Sequence, residues 1–484
     1  MYLRSGDAGF SGIAVFILDC CDARRLASPF FIFSWGWETG TAVFYVFLGQ
    51  AAATPFFIFP LAAAAARAYT KMEDSERVVF MQVLERFLKY IAVETTSDPE
   101  SAASPSAGRE LDLAKALFEE LKALGASDVV LSDTGYVYAK LPATPGLEDA
   151  PALGFIAHMD TSPDFPGAPV HPQVHKQYDG KAVALGAGLT LSPEEFPHLK
   201  DCVGKTLITT DGTTLLGADD KAGIAEILTA CERILSQNIP HGPLCIAFTP
   251  DEEIGRGTEH FDLAGFGAKF AYTVDGGDPA VFSYENFNAC DATLTIHGKN
   301  IHPGSAKDKM HNAARIAMEA DSMLPAGEVP EHTQGREGFF HLTSMEGDVT
   351  CARLHYILRD HDARHFDIRK EMLLHIAALL NEKYGEGTAE VQFAAGYRNM
   401  EEYVRPYPEL IERAKAAIAA VGLTPAVEPI RGGTDGATLS ARGLPCPNLG
   451  TGGWACHGPY EHITEEDMEL CVQILLELVR MFAA

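Results

Sequence analysis

Five short polar clusters constrain this chain more than any other feature, because several of them stand where an apolar run ends. They are His158-Met159-Asp160, Asp219-Asp220, Glu252-Glu253, Asp275 and His457. Leu153 to Ala157 precedes the first, Cys245 to Thr249 comes just before the third, and Phe270 to Val274 leads into Asp275. Such runs predict buried strands of a sheet covered on both faces. In open α/β sheets, ligands bind where the strands reach their carboxyl edge. Five clusters of oxygen and imidazole donors meeting there predict a metal site.

Each cluster has a specific reading and a plainer one. His158 and Asp160 are two apart and share one side of an extended strand end. A neutral imidazole ligates zinc, and a carboxylate on its second nitrogen fixes tautomer and orientation. His158 is therefore the expected ligand and Asp160 the residue that orients it; a hydrogen-bonded pair without metal is the alternative. Asp219 lies between an apolar stretch and a predicted helix. Its two oxygens suit a bridge between cations about 3.5–4 Å apart, or a helix cap. Neighbouring Glu252 and Glu253 project differently, so Glu253 can bind metal while Glu252 faces water. Metal lowers the pKa of water to roughly 7, and a nearby carboxylate can take its proton. The plainer reading is an acidic first turn, favourable with the helix dipole. Asp275 precedes Gly276-Gly277, and His457 closes a glycine-rich stretch that begins at Gly450. Together these residues supply His158, Asp219 and Asp275 for one ion and Asp219, Glu253 and His457 for a second. Two zinc ions are expected, with cobalt or manganese as substitutes, and open positions remain for water and substrate.

The balance of 66 acidic against 38 basic residues, a net charge of −28, argues against nucleic acid as a partner. The 10 cysteines include no C-x-x-C pair and several sit in apolar runs, which points to reduced, packed thiols in a cytoplasmic protein. Residues 1–75 have a different character. Thr39 to Ala66 is a run of 28 uncharged residues, long enough to span a bilayer but interrupted by Pro55 and Pro60. A membrane anchor, a targeting or other appended segment, and an upstream translation artefact with the start at Met72 or Met81 are the three readings. The last is supported by the amphipathic helix expected from Met81. Membrane association is expected only if this extension is genuine.

From Met81 onward, helical and strand patterns alternate, which predicts an α/β architecture. Helices are expected over Leu111 to Leu124, stopped by Gly125, and over Ala222 to about Leu235. A second unit over 288–396 carries strands near Cys290 to His297, Arg353 to Arg359 and Ala389 to Ala394. Its helices are expected near Asn312 to Leu324 and His365 to Tyr384. That order predicts a small α+β sandwich inserted between two parts of the main domain, 81–287 and 397–484. Helices near Glu409 to Val421 and Glu465 to Met481 belong to the second part.

At these residues the chain resembles the dizinc aminopeptidase and aminoacylase superfamily, whose order is H-x-D, D-D-K, E-E, D and a late H. Longer stretches are similar to its peptidase T family of tripeptide aminopeptidases. They include Ile208 through Ile224, Ala247-Phe-Thr-Pro-Asp-Glu-Glu, Tyr272-Thr-Val-Asp-Gly-Gly, His302-Pro-Gly-Ser-Ala-Lys, and Arg431-Gly-Gly-Thr-Asp-Gly-Ala. The resemblance runs from Met81 almost to the end. It implies a zinc-exopeptidase-like catalytic domain, a mixed sheet with helices on both faces, and an inserted lid and dimerisation domain. It implies His158, Asp219, Glu253, Asp275 and His457 as ligands, with Asp160 and Glu252 as the catalytic pair. His302 corresponds to a histidine that reaches the partner subunit's site in a homodimer. Arg359 and Arg431 fall in family-like segments and suit a peptide carboxylate, or else a structural ion pair. The implied activity is removal of the N-terminal residue from short peptides, mainly tripeptides. A dipeptidase, an N-acyl-amino-acid hydrolase and a metal-free binding module are the rivals. The family often has a second histidine soon after the late one, where this chain has Pro459-Tyr460-Glu461.

Overall fold

The computed structural model describes residues 81–483 except 187 and 395, preceded by the backbone of three strands, Ser11–Ala14, Phe31–Glu38 and Thr41–Leu48. Those three strands pair antiparallel in chain order. The rest of the run from Thr39 to Ala66 lies outside the described residues, and so do its readings as anchor, appended segment or artefact. Among the described residues no helix is long and apolar enough to cross a membrane.

The chain from Phe80 onward forms one compact unit. Its first strands are β1 (Ser127–Leu131), β2 (Val137–Leu141), β3 (Leu153–His158), β4 (Leu244–Thr249), β5 (Phe270–Val274) and β6 (Val281–Ser283). Then come β7 (Asn288–His297), β8 (Phe339–Gly347), β9 (Cys351–Asp360) and β10 (Ala389–Phe393), and finally β11 (Ala426–Val427) and β12 (Asn448–Leu449). The main sheet is mixed, in the order β11-β6-β12-β5-β3-β4-β2-β1, with β5, β3 and β4 parallel at its centre. Every residue of β3, β4 and β5 is buried, as their unbroken apolar runs predict.

Alternation along β3 and β4 divides their side chains between two cores. Leu153, Phe155, Leu244, Ile246 and Phe248 join the larger core, while Ile156, Cys245 and Ala247 join a smaller one with Phe261 and Leu439. The larger core is roofed by α1 (Val83–Ile91), α2 (Glu110–Leu124) and α3 (Ala218–Ser236), with two later helices from the end of the chain. Helix α2 ends as expected: Gly125, at φ +89°, donates its N–H back to the carbonyls of Leu121 and Lys122.

The inserted unit is a separate antiparallel sheet in the order β8-β9-β7-β10, packed against α4 (Ala313–Ser322) and α5 (Ala363–Tyr384). It has its own core, which includes Leu294, Ile296, Leu354, Leu358, Ile376 and Leu380. Strand β8 is not foreshadowed in the sequence. Only Phe339 and Phe340 are buried and everything from Thr343 on is exposed, so this edge strand lacks alternation. The main domain then resumes with α6 (Pro408–Ala420) and α7 (Glu465–Ala483).

A buried cation locks three of these helices together. Arg86 on α1 donates from Nε to Glu120 of α2 at 2.7 Å, from Nη1 to Thr229 of α3 at 2.8 Å, and from Nη2 to Glu232 of α3 at 3.0 Å. Its side chain is only 2% exposed. Removing it strands the partly buried Glu232 and leaves Glu120 with Lys89 alone. Arg86→Ala is expected to cost about 3–5 kcal/mol of unfolding free energy, measured by urea denaturation; a loss below about 1 kcal/mol would contradict the arrangement.

Candidate metal centre

Strands β3 and β4 end level, with His158 paired to Thr249, and Asp275 immediately follows β5 beside them. Past Thr249 the chain reverses at Asp251, which sits at φ +58° and is held by its carboxylate accepting the Ser106 N–H at 2.9 Å. That turn delivers Glu252 and Glu253 in a short 3-10 segment over the strand ends. Asp219 arrives from a fourth direction. Gly217 takes φ +81°, Asp219 and Asp220 keep non-helical dihedrals, and regular helix begins only after them. A Cβ at Gly223 would collide with the carbonyl of Val274, so glycine there lets α3 approach β5 closely enough to set Asp219 beside Asp275. Asp220 turns the other way and accepts the His158 N–H at 3.1 Å.

The Asp219 carboxylate presents one oxygen to each of two imidazoles. Its Oδ1 lies 2.9 Å from His158 Nε2, and its Oδ2 lies 3.3 Å from His457 Nε2. Donor atoms of His158, Asp219 and Asp275 lie within 4.8 Å of one another, and so do those of Asp219, Glu253 and His457. The two triads share Asp219 and contain all five expected ligands. His457 adopts φ +65°, a left-handed conformation costly for a side chain this size, and its Nε2 also meets Glu253 Oε2 at 3.0 Å.

Asp160 does more than expected. His158 Nδ1 lies 3.1 Å from the main-chain carbonyl of Asp160 and 3.3 Å from its carboxylate, so backbone and side chain both face the ring. The same carboxylate accepts the N–H groups of Glu252 at 2.9 Å and Glu253 at 3.1 Å. One buried anion thus sets a histidine and two glutamates. His302 is exposed, its Nδ1 accepts the Gly304 N–H at 3.2 Å, and it belongs to neither triad. Arg359 and Arg431 do meet, but through the backbone: Arg359 Nη1 donates to the Arg431 carbonyl at 2.9 Å. The Arg431 guanidinium faces the Gly335 carbonyl at 2.6 Å and the Thr333 hydroxyl at 3.2 Å.

The charges explain what such a cluster needs. Burial, and then the Asp219 charge, pushes Asp275 up to about 7. Burial also raises Glu252 well above the carboxylate range, and raises Glu253. Asp219 goes the other way: burial opposes its ionisation, but hydrogen bonds from His158 and His457 hold it low. His457 is raised to about 11 by its bonds to Asp219 and Glu253. Crowded carboxylates of this kind are relieved by cations. Glu253 Oε1 is moreover buried without any hydrogen-bond partner. Nitrogen and oxygen donors in two triads suit divalent zinc, cobalt or manganese. The residues present fit two such ions.

Two carboxylates near the centre were not singled out from the sequence. Asp435, buried at the start of the short helix Asp435–Ala441, accepts the Thr249 hydroxyl at 2.7 Å, and burial raises it to about 6. Its signal was an acid between glycines in Gly432-Gly-Thr-Asp-Gly. Glu461 accepts three backbone N–H groups around Asp219 and left no signal beyond its place four residues after His457.

This geometry agrees with what the chain is similar to. The model of peptidase family M20/M25/M40 matches residues 211–481. A peptidase T of Geobacillus kaustophilus (strain HTA426) is 50% identical over 404 residues, 83% of this chain and 98% of the relative. One from Desulfitobacterium hafniense (strain Y51) is 51% identical over 404 residues, with the same coverage of both chains. The chain belongs to the peptidase T group of the M20 family. Among solved structures, aminopeptidase PepT of Bacillus cereus superposes with a TM-score of 0.67 at 23% identity, covering 83% of this chain and 98% of that one. A tripeptidase of Staphylococcus aureus gives 0.68 at 22% identity, with the same coverage. These likenesses establish the fold.

For a peptidase T chain built this way, the shared carboxylate has a direct consequence. Asp219→Ala is expected to lower bound metal from two ions per chain to one or none, measured by elemental analysis after dialysis. Retention of two ions would show that the triads do not depend on Asp219.

Proposed function

We infer that this protein is a metal-dependent aminopeptidase that releases the N-terminal residue of tripeptides. The observation that carries the reading is the Asp219 carboxylate, with one oxygen toward His158 and the other toward His457, in a chain half identical to peptidases T. His158 and Asp275 would hold one ion and Glu253 and His457 the other, with Asp219 between them. We propose zinc, with cobalt or manganese able to substitute. Bound cations supply Lewis acidity to the scissile carbonyl and make water a stronger acid.

The remaining chemistry falls to the chain. Glu252, half-buried and fixed through its N–H by Asp160, takes a proton from the attacking water. As the carbonyl carbon gains that oxygen and the C–N bond breaks, Glu252 returns the proton to the departing amine. Asp160 keeps the His158 ring and the Glu252-Glu253 turn in one geometry. Arg359 and Arg431, on the inserted unit and the loop facing it, would receive the peptide carboxylate. His302 would act across a homodimer, stabilising negative charge on the carbonyl oxygen in the partner subunit. We divide the chain into an extension (1–75), catalytic segments 81–287 and 397–484, and a lid and dimerisation domain (288–396). We place the enzyme in the cytoplasm.

Glu252→Gln is expected to keep both ions and lose about 10²–10⁴-fold in kcat, read by tripeptide hydrolysis together with elemental analysis. Ala-Ala-Ala should be cleaved to Ala and Ala-Ala, far faster than Ala-Ala or N-acetyl-Ala. Preference for Ala-Ala would move the assignment to a dipeptidase, and preference for N-acetyl-Ala to an acylase.

A further inference from the structure

The backbone leading to Asp219 would be an anion-binding concavity if the chain did not fill it. The N–H groups of Leu216, Gly217 and Asp219 converge on one point, in the manner of a nest of successive amides. Glu461 occupies that point. Its Oε2 accepts from Leu216 at 2.6 Å and Gly217 at 2.9 Å, and its Oε1 accepts from Asp219 at 3.1 Å. The residue is 1% exposed, so these bonds are shielded from water.

Glu461 is also tied to the other imidazole. Trp454 and His462 exchange backbone hydrogen bonds, Trp454 N–H to His462 O at 2.9 Å and His462 N–H to Trp454 O at 3.0 Å. The loop they close carries both His457 and Glu461. Beyond it, the strand His462–Thr464 pairs antiparallel with Leu207–Thr209, the strand that enters the Asp219 segment. The two segments therefore leave a common small sheet at the same end, and Glu461, next to that sheet, bonds the 216–219 stretch of the other segment.

We propose that Glu461 is a positioning residue for the dimetal centre: by filling the amide concavity at 216–219 it holds the Asp219 carboxylate in register with His457 before any ion arrives. The proposal rests on the two-ion reading of the site and adds the element that preorganises it. Glu461 touches neither ion nor substrate. It acts through Asp219, much as outer carboxylates orient metal-bound histidines. Glutamine is the informative replacement. It is the same size, but its amide nitrogen must face at least one of the three N–H donors, so one bond becomes a repulsion.

The test titrates cobalt or zinc into the metal-stripped full chain against a competing chelator, for wild type and Glu461→Gln. A 10- to 100-fold rise in Kd is expected for the weaker ion, the range typical of lost outer partners. The melting temperature gained on adding metal should shrink as well. A purely structural role would lower the melting temperature equally with and without metal and leave Kd within twofold, which overturns the proposal. A second measurement needs only wild type: hydrogen exchange at Leu216, Gly217 and Asp219 without metal. Protection equal to that of the loaded protein supports preorganisation; fast exchange that slows only on loading overturns it, even if Glu461→Gln fails to fold. Wild type that takes up no cobalt or zinc removes the two-ion reading itself, whereas normal uptake with an unaffected variant removes only the role of Glu461.

Discussion

Everything at the centre depends on three parallel strands ending level. The pairing of β3 with β4 and β5 puts His158, the turn to Glu252-Glu253, and Asp275 on one edge of the sheet. None of these residues could reach another if the register slipped. Because both faces of the strands are buried, a slip would also exchange residues between the two cores. The hydrophobic core therefore fixes the positions of the polar groups, and α3 and the Trp454–His462 loop close the arrangement from outside.

Electrostatics gives that arrangement its direction. Asp275, Glu252, Glu253 and Asp435 are all pushed toward the protonated form by burial and by neighbouring carboxylates, whereas Asp219 is held ionised between two imidazoles. The cluster is poorly balanced as hydrogen-bonded protein and well balanced around positive ions. Glu253 Oε1, without a donor inside a buried site, is the clearest single sign. Asp160 and Glu461 answer a different need. Each accepts backbone N–H groups with its carboxyl oxygens and thereby fixes the loops that carry the donors.

Much of this was legible in the sequence. The strands that carry the site are unbroken apolar runs, and three of the five expected ligands, His158, Glu253 and Asp275, stand at or just past their ends, so pattern and chemistry pointed to one place. The inserted sandwich showed itself by alternation in β7, with Ala292, Leu294 and Ile296 on one face. What stayed hidden lacks periodicity or acts at long range. Strand β8 is an exposed edge, and the strands of the small sheet at 173–175, 207–209 and 462–464 are three residues each, too short to display a period. Glu461 bonds residues more than 240 positions away, which no local pattern encodes. For Arg431 the residue type suited a carboxylate, but only the fold shows its guanidinium turned toward the 333–335 loop.

The expected ligands come from far-apart segments: His158, Asp219, Glu253 and Asp275 from one portion of the chain, His457 from beyond the inserted sandwich. A nascent polypeptide thus offers neither the Asp219, Glu253 and His457 triad nor the Glu461 clasp until nearly all of it has been synthesised. Filling the second triad would consequently be a late event in biogenesis. Under the two-ion reading, uptake at that second triad would report that both ends of the catalytic fold have found each other.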